Sequence, residues 1–516
     1  MKPSSASSRL SLPATLSRDL PVSIVVFMVA IPLCLGIALA SGVPAEAGII
    51  SGVVGGILVG LIGGAPLQVS GPAAGLAVVV FEIVREHGIA SLGPIVLAAG
   101  LLQIAAGMLG FGAWFRAISP AVVQGMLAGI GVLIVVVQLH VLIDAAPLPT
   151  ALESLIAIPG AFGDVLKLAT PTGALALPVG LITILAMIGW EKLRPQRLKL
   201  LPGALVGVAA GTLVANLLTL PIKHVKAPEN VFAGVTSLPG LAEFGRLADL
   251  NVLLAVVVIA VIASAETMLS AAAVDKMHDG PRAAYNRELS AQGVGNAVCG
   301  MFGALPMTGV IVRSSANVQA GAASRWSAIL HGVWLLAFVA AMPSALELVP
   351  TAALAGILVV TGWRLIQFEH ARGLLRRHGP LPAAVWAATL IVVVAVDLLT
   401  GVLVGLGLAL VEVLPHLKRR YLVVRSHESG DGEVALKLAG SATFLQLPAL
   451  ERELAAVPAG TRVTIETKRL DYIDHTTREL ITEWAGRRAE GSTVKIAGRK
   501  TPHERRLAAA LSGVSG

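Results

Sequence analysis

Long apolar stretches, broken by short polar or Pro/Gly-rich stretches, fill the first 415 residues of the chain. A hydrocarbon layer about 30 Å thick needs roughly 20 apolar residues for each crossing helix. The breaks separate about fourteen such segments, seven before and seven after a more polar stretch, and so predict a polytopic α-helical membrane protein. The predicted segments lie near residues 19–40, 46–63, 72–87, 91–111, 118–143, 173–190, 203–218, 251–272, 287–303, 308–319, 326–344, 352–364, 382–397 and 399–414.

Composition agrees with a membrane protein and indicates where its membrane part ends. Of the 516 residues, 55% are hydrophobic and 14% are charged, and the mean hydropathy is +0.81. The last 101 residues hold 29 of the 70 Asp, Glu, Lys and Arg residues, so a water-soluble part begins near Pro415. Both cysteines, Cys34 and Cys299, lie in apolar stretches, which excludes a disulfide framework and a cysteine zinc site.

The distribution of Lys and Arg predicts the orientation in the membrane. With a cytoplasmic N-terminus, 16 of the 22 Lys and Arg residues before residue 416 fall on the inner side. An even number of crossings returns the chain to the cytoplasm at Lys418. The net charge of +8 is thus mainly topogenic, and no nucleic-acid partner is expected. We expect a multi-pass protein of a bacterial-type inner membrane, with its N-terminus and its C-terminal domain in the cytoplasm.

Two segments at corresponding positions of the two halves are short and interrupted by Pro and Gly. A break at 63–72 precedes the third segment, and a break at 303–309 precedes the tenth. Irregular backbone at membrane depth lines a cavity, because lipid cannot satisfy its polar groups. Matching breaks are typical of inverted-repeat transporters with the substrate at the midplane. The alternative is that these Gly and Pro residues only permit close helix packing.

The chemistry at these breaks favours an anion. A helix start carries unpaired N–H groups and about half a positive charge, so two facing starts can hold a small anion. Arg313, in the tenth segment, adds positive potential or pairs with a carboxylate. Glu266 is the clearest acid inside a long apolar span, and Ser270 lies one turn further on the same face. Glu266 has four candidate roles: a proton site, a sodium site, a salt bridge to Arg313, or a structural hydrogen bond.

Several motifs recur in register along the chain, cover essentially the whole membrane part and include both breaks. The motifs are Asp19-Leu20-Pro21, Ile31-Pro32-Leu33, Leu67-Gln68-Val69-Ser70-Gly71-Pro72, Asn286-Arg287-Glu288-Leu289, Gln292-Gly293, Gly295-Asn296, Pro306-Met307-Thr308-Gly309, Arg313-Ser314 and Asp397-Leu398-Leu399-Thr400-Gly401. Together they resemble the motifs of the SulP (sulfate permease) family of anion transporters.

The resemblance implies two inverted repeats of seven segments each, arranged as a transport core and a gate. The core would carry the anion past the gate in an elevator-like movement, within a homodimer. The implied regions are a cytoplasmic segment at 1–18 and a transmembrane transport domain at 19–415, with its core at 19–111 and 251–344 and its gate at 118–218 and 352–414.

The resemblance also implies the binding residues. Glu266 matches the family's acidic position on the eighth segment. Sodium-coupled bicarbonate members tend to have Asp there, so Glu leaves proton coupling or exchange as alternatives to sodium. Val310, Ile311 and Val312 replace hydroxyl-bearing residues of many members, so backbone N–H groups would do more of the binding. The anion would lie between the two breaks and under the first segment, at Ser70, Gly71, Pro72, Ala73, Ala74, Thr308, Gly309, Val310 and Pro32.

The tail alternates β-like and helical patterns and predicts a small α/β domain at 430–512, after a linker at 416–429. It resembles the STAS domain that follows many SulP membrane parts, which implies a cytoplasmic regulatory partner. Thr476 takes the place of a phosphorylatable Ser of related domains, but the glycine of that motif is lost. We favour a helix N-cap over a phosphorylation switch for Asp474 and Thr476. The predicted strands are 433–438, 462–466 and 493–496, and the predicted helices are 446–456 and 476–486.

The sequence therefore predicts a secondary active transporter of small inorganic anions, with sulfate and bicarbonate favoured. Symport with protons or sodium and exchange with chloride are the candidate modes. No nucleophile–base set, Walker motif or dinucleotide motif occurs, so neither an enzyme nor an ATP-driven pump is expected. We expect no cofactor or metal beyond a coupling H⁺ or Na⁺. The alternatives are a nucleobase or uracil-type proton symporter of the same architecture, which the tail and Arg313 disfavour, and a non-transporting membrane sensor that signals through the tail.

Overall fold

The computed structural model of the protein describes most of the chain, in ranges separated by gaps. These ranges are residues 12–112, 119–145, 148, 151–167, 169–198, 201–226, 245–275, 277–278, 280, 282–366, 368–378, 380–396, 398–417, 423–429, 433–443, 446–457, 461–486 and 494–497. The chain divides into two compact units, one of residues 1–112 and 127–367, the other of residues 113–126 and 368–516.

Helices dominate the first 417 residues, as the hydropathy pattern predicts. They are α1 (Leu12–Ala40), α2 (Ala45–Val54, continued by a π-helical turn at Gly55–Val59), α3 (Ala74–His87), α4 (Leu92–Met108), α5 (Pro120–Leu142), α6 (Ala151–Leu166), α7 (Pro171–Leu193), α8 (Gly203–Leu217), α9 (Leu250–Asp275), α10 (Tyr285–Met301), α11 (Ile311–Gln319), α12 (Trp326–Ala341), α13 (Thr351–Ile366), α14 (Phe368–His378), α15 (Pro380–Ala395) and α16 (Leu398–Leu417).

The structure is a helical polytopic membrane fold. Among the described residues, six helices have both the length and the apolar composition to cross a membrane. They cover Leu16–Ala40, Ala45–Ile62, Ile89–Met108, Ala121–Leu142, Pro171–Leu193 and Leu250–Asp275.

Two helices lie outside the predicted segments. α6 contains Pro159 together with Glu153 and Asp164, and α14 contains five Arg and His residues among eleven. α14 carries too many charges for an apolar span. α6 is apolar, but its 16 residues are fewer than the roughly 20 of a full crossing.

The last three residues of each predicted break are extended, and the two stretches pair with each other. β1 (Ser70–Pro72) and β2 (Met307–Gly309) form an antiparallel ribbon with Gly71 opposite Thr308. The helices after the breaks therefore begin later than predicted, with α3 starting at residue 74 instead of 72 and α11 at residue 311 instead of 308. The predicted helical state of residues 308–310 is wrong because these residues form or follow the ribbon.

The second unit contains a four-stranded sheet in the order β3–β4–β5–β6. β3 and β4 are antiparallel, whereas β4 pairs with β5 and β5 with β6 in parallel. The predicted α/β alternation of the tail is confirmed. The strands and helices are β3 (Val423–Ser429), β4 (Glu433–Ala442), α17 (Leu447–Ala456), β5 (Arg462–Ile473), α18 (His475–Gly486) and β6 (Val494–Ala497).

The second half of the linker predicted at 416–429 is strand β3, its first two residues end α16, and residues 418–422 lie outside the described ranges. β3 pairs along its whole length with β4, which gives this charged stretch a regular structure that its composition does not indicate. Asp474 lies between β5 and α18, and its Oδ1 accepts a hydrogen bond of 2.7 Å from the N–H of Thr477. The N-cap interpretation of Asp474 is therefore confirmed.

Candidate functional site

The β1–β2 ribbon brings the two predicted breaks together in the first unit. Its register places Ser70 opposite Gly309, and the N–H of Val310 donates to the carbonyl oxygen of Val69 at 2.9 Å. Because the strands are antiparallel, α3 and α11 leave from opposite ends of the ribbon. Both helices therefore direct their N-terminal ends, which carry the positive end of the helix dipole, back toward it.

Neither helix start is capped by a side chain. The N-cap residues are Ala73 for α3 and Val310 for α11, and both lack a side-chain acceptor. In α11 the first helical bond runs from the N–H of Ser314 to the carbonyl of Val310, at 3.0 Å. The N–H groups of the first residues of each helix consequently have no acceptor within the helix. These starts are also accessible, since Ala74 is partly exposed and Ile311 is exposed.

The structure places the predicted binding residues at this ribbon and at the two helix starts. Ser70, Gly71, Pro72, Thr308 and Gly309 form the strands, and Ala73, Ala74 and Val310 lie where the helices begin. The last of the set, Pro32, is buried in α1, which packs against β1 and α11. The sequence therefore predicted a set of residues that the fold brings together.

The backbone donors differ from those expected. The N–H of Gly309 donates to Thr267 Oγ1 at 3.1 Å, and that of Val310 is used within the ribbon. The N–H groups without helical acceptors lie further along, at residues 74 and 75 in α3 and at residues 311 to 313 in α11. A second contact missed from sequence is that of Gln68, whose Nε2 donates to the carbonyl of Thr267 at 3.2 Å. The sequence feature that could have indicated a role for Thr267 is its position directly after Glu266.

Glu266 and Ser270 face this site from α9. A Cβ atom on Gly75 would lie 2.9 Å from Glu266 Oε2, so the carboxyl group lies against the first turn of α3. Glu266 Oε2 and Ser270 Oγ are buried and have no hydrogen-bond partner. Thr308 Oγ1, on the ribbon, is also buried without a hydrogen-bond partner. Such groups are costly to bury unless something binds them.

Arg313 reaches the ribbon from α11 and is completely buried. A Cβ atom on Gly71 would overlap its guanidinium, and its Nη2 lies 3.4 Å from Cys34 Sγ. Its Nε and Nη1 have no hydrogen-bond partner. The salt bridge to Glu266, one of the predicted alternatives, is not formed, and no other acid in the described ranges pairs with Arg313. A buried positive charge thus lies next to the ribbon without a counter-ion from those ranges.

The polar groups around the ribbon are mainly hydrogen-bond donors. Within the part of the chain that the structure describes, no three His, Cys, Asp or Glu side chains cluster as metal ligands. Backbone N–H donors, the hydroxyl of Thr308 and the guanidinium of Arg313 suit an oxyanion, and the carboxyl group of Glu266 lies beside them.

Comparison with known proteins finds relatives over most of the chain. A family model described as the sulfate permease family matches residues 16–389. YvdB of Bacillus subtilis is 30% identical over 406 residues, which cover 76% of this chain and 73% of that protein. The bicarbonate transporter BicA of a Picosynechococcus species is 26% identical over 401 residues, which cover 74% of this chain and 67% of that protein.

Solved structures share the fold. The transmembrane domain of a cyanobacterium bicarbonate transporter BicA matches with a TM-score of 0.64 and 26% identity, covering 75% of this chain and 97% of that chain. The structure of SLC26A9 matches with a TM-score of 0.68 and 14% identity, covering 97% of this chain and 88% of that chain. The second match supports the fold alone.

Proposed function

The chain belongs to the sulfate permease family, and we propose that it is a secondary active transporter that binds a small inorganic anion between the starts of α3 and α11. This family consists of transporters, not enzymes. The observation that supports the proposal is the pair of uncapped helix starts that leave one ribbon in opposite directions. They lie next to the guanidinium of Arg313, which has no counter-ion among the described residues.

The charge of Arg313 favours an anion over a neutral substrate. A buried guanidinium is costly without an anionic partner, and an anion at the helix starts supplies one. A neutral nucleobase would leave this charge uncompensated, so we favour an anion transporter over the uracil-type alternative. Sulfate is supported by the description of the family, and bicarbonate by the relative BicA.

On the same basis we propose how the repeats of the membrane part are arranged. The opposite directions of α3 and α11 are those that two inverted seven-segment repeats would produce. In this arrangement a core moves past a gate in an elevator-like movement, within a homodimer of a bacterial-type inner membrane. Both ends of the chain then lie in the cytoplasm, in line with the distribution of Lys and Arg.

Uptake by purified protein in sealed liposomes tests the proposed function. Labelled sulfate, bicarbonate and uracil are offered separately, and proton and sodium gradients are imposed one at a time. We expect saturable uptake of sulfate or bicarbonate and no uptake of uracil. Uptake of uracil alone would support the nucleobase symporter, and anion binding without any uptake would support the non-transporting sensor.

Glu266→Gln is expected to change ion coupling while the protein stays folded. A carboxyl group can bind a proton or a sodium ion, whereas a carboxamide of the same size binds neither in this way. Anion uptake by the variant should therefore no longer respond to the gradient that drives the wild type. The liposome assay measures this response directly, and an unchanged dependence on both gradients would remove Glu266 from the coupling step.

Truncation after residue 420 is expected to preserve anion binding. The proposed binding residues lie between residues 32 and 313, in the first unit, whereas the sheet of the tail begins at Val423 and has its own buried core. We propose that this STAS-like domain has a regulatory role with a cytoplasmic partner. Anion affinity of the truncated protein should stay within about twofold of wild type, a difference of about 0.4 kcal/mol. Complete loss of binding in a folded truncated protein would contradict this separation of roles.

A further inference from the structure

Helix α10 buries a row of polar side chains along one face. Glu288, Gln292 and Asn296 follow each other at intervals of four residues, and none is more than 1% exposed. Polar side chains are costly inside a membrane protein unless each is hydrogen-bonded. We propose that this α10 polar row holds the two breaks in register and thereby sets the affinity of the anion site. The inference rests on the proposed function and assigns positioning residues to it.

The N-terminal part of the row holds the first break. Glu288 Oε2 accepts hydrogen bonds from the N–H groups of Gly64 at 2.7 Å and Ala65 at 2.9 Å. Its other oxygen accepts from Gln292 Nε2 at 2.9 Å. The same Nε2 donates to Ser70 Oγ, on β1, at 2.5 Å. Two side chains thus fix the first break at its beginning and at the ribbon.

The third member of the row holds the second break. Asn296 Oδ1 accepts from the N–H of Met307 at 2.7 Å, and its Nδ2 donates to the carbonyl of Met307 at 3.0 Å. Met307 lies opposite Pro72 at a non-hydrogen-bonded pair of the ribbon, since Val310 bonds Val69 and bonded pairs alternate, so its backbone groups face away from β1. The carboxamide therefore bonds both backbone groups of Met307, as a neighbouring strand would.

The row also connects to the helix that carries Glu266. Asn296 Nδ2 donates to Gln103 Oε1 at 2.7 Å, and Gln103 Nε2 donates to Ser264 Oγ at 3.1 Å. Ser264 lies two residues before Glu266 on α9. One hydrogen-bonded network therefore fixes β2 relative to the acidic side chain at the site.

The N–H groups proposed to bind the anion come directly after β1 and β2 in the chain, the two strands that this row holds. α3 begins two residues after Pro72, and α11 begins two residues after Gly309. Hydrogen bonds weaken steeply when distance or angle departs from the optimum, so a shift of either strand misaligns the N–H groups that face the anion. Among the predicted binding residues the row bonds only the side chain of Ser70, and it bonds no N–H at the start of α3 or α11. Its members therefore act by positioning the backbone.

The test compares three variants of the full-length protein by calorimetric titration with sulfate and with bicarbonate. Asn296→Ala removes both bonds to Met307, and Gln292→Met keeps the side-chain length while removing the bonds to Glu288 and Ser70. Leu354→Ala is the control, because it truncates an equally buried side chain, on α13, outside the row. We expect both row variants to lose about tenfold in affinity, and the control to stay within about twofold.

Hydrogen exchange distinguishes positioning from general destabilisation. Asn296→Ala should speed amide exchange in peptides that cover 303–312, with the rest of the membrane part unchanged. Wild-type affinity in both row variants would overturn the inference, as would an equal loss in Leu354→Ala. If Asn296→Ala does not fold, Gln292→Met decides alone. A wild-type protein that binds neither anion would instead count against the proposed function.

Discussion

Ala74→Leu is expected to weaken anion binding at least about 100-fold, which corresponds to about 2.7 kcal/mol. Ala74 is the first residue of α3 and is partly exposed, so a larger side chain projects beside the helix start instead of into a packed core. The leucine would occupy the space that the anion needs to reach the N–H groups of residues 74 and 75. Calorimetric titration of the purified variant with sulfate and bicarbonate measures the loss.

Ala337→Leu serves as the matched control for this steric test. Ala337 is an exposed residue of α12, and the substitution adds the same bulk to an apolar helix outside the proposed site. Its anion affinity should equal that of the wild type. If Ala74→Leu also retained wild-type affinity, the anion would not approach the start of α3, and the glycines and prolines of the breaks would serve only packing.

Arg313→Met should abolish anion-dependent stabilisation without lowering the stability of the anion-free protein. Arg313 is fully buried, and neither Nε nor Nη1 has a hydrogen-bond partner. Replacing a buried charge by an apolar side chain of similar volume is often neutral or stabilising by about 1–4 kcal/mol. Loss of hydrogen bonds from a charged donor to the anion costs about 1.5–3 kcal/mol. Unfolding temperatures with and without each anion measure both effects.

Lys167→Met is the control for charge alone, because Lys167 is an exposed cation after α6. It should leave both the anion-free unfolding temperature and the anion-dependent rise unchanged. A drop in the stability of anion-free Arg313→Met, with the full anion-dependent rise retained, would make Arg313 a structural residue and remove it from the site.

Hydropathy and the polar or Pro/Gly-rich breaks predict the helical framework because both depend on local sequence. The breaks at 63–72 and 303–309 are visible as Pro/Gly runs, and the structure has non-helical backbone at both. The ribbon that joins them could not be predicted. Each strand has three residues, too few for an alternating pattern, and the partners lie more than 230 residues apart. Only the tertiary fold brings them into register.

The sequence predicts which residues form the candidate site, but not which of their groups are free to donate hydrogen bonds to the anion. Glu266 and Arg313 are recognisable because ionisable residues are rare in apolar spans. Whether they pair depends on side-chain directions, and the structure directs Arg313 to Gly71 and Glu266 to Gly75. The use of the Gly309 N–H by Thr267 is equally invisible in sequence.

The residues of the α10 polar row are recognisable in the sequence, but the sequence does not indicate what they do. Glu288, Gln292 and Asn296 belong to motifs shared with the family, and their four-residue spacing places them on one helix face. The spacing predicts a common face. It does not identify the backbone groups of Gly64 and Met307 as the partners, because those lie in irregular segments whose path only the fold defines.

The position of the bound anion directly tests whether the anion binds between the starts of α3 and α11. Structures determined with and without the anion that the liposomes take up would give a difference map at the ribbon. We expect anion density between the starts of α3 and α11, within hydrogen-bonding distance of the N–H groups of Gly75 and Ile311 and adjacent to Arg313. Anion density elsewhere in the membrane part, with none at the two helix starts, would contradict it.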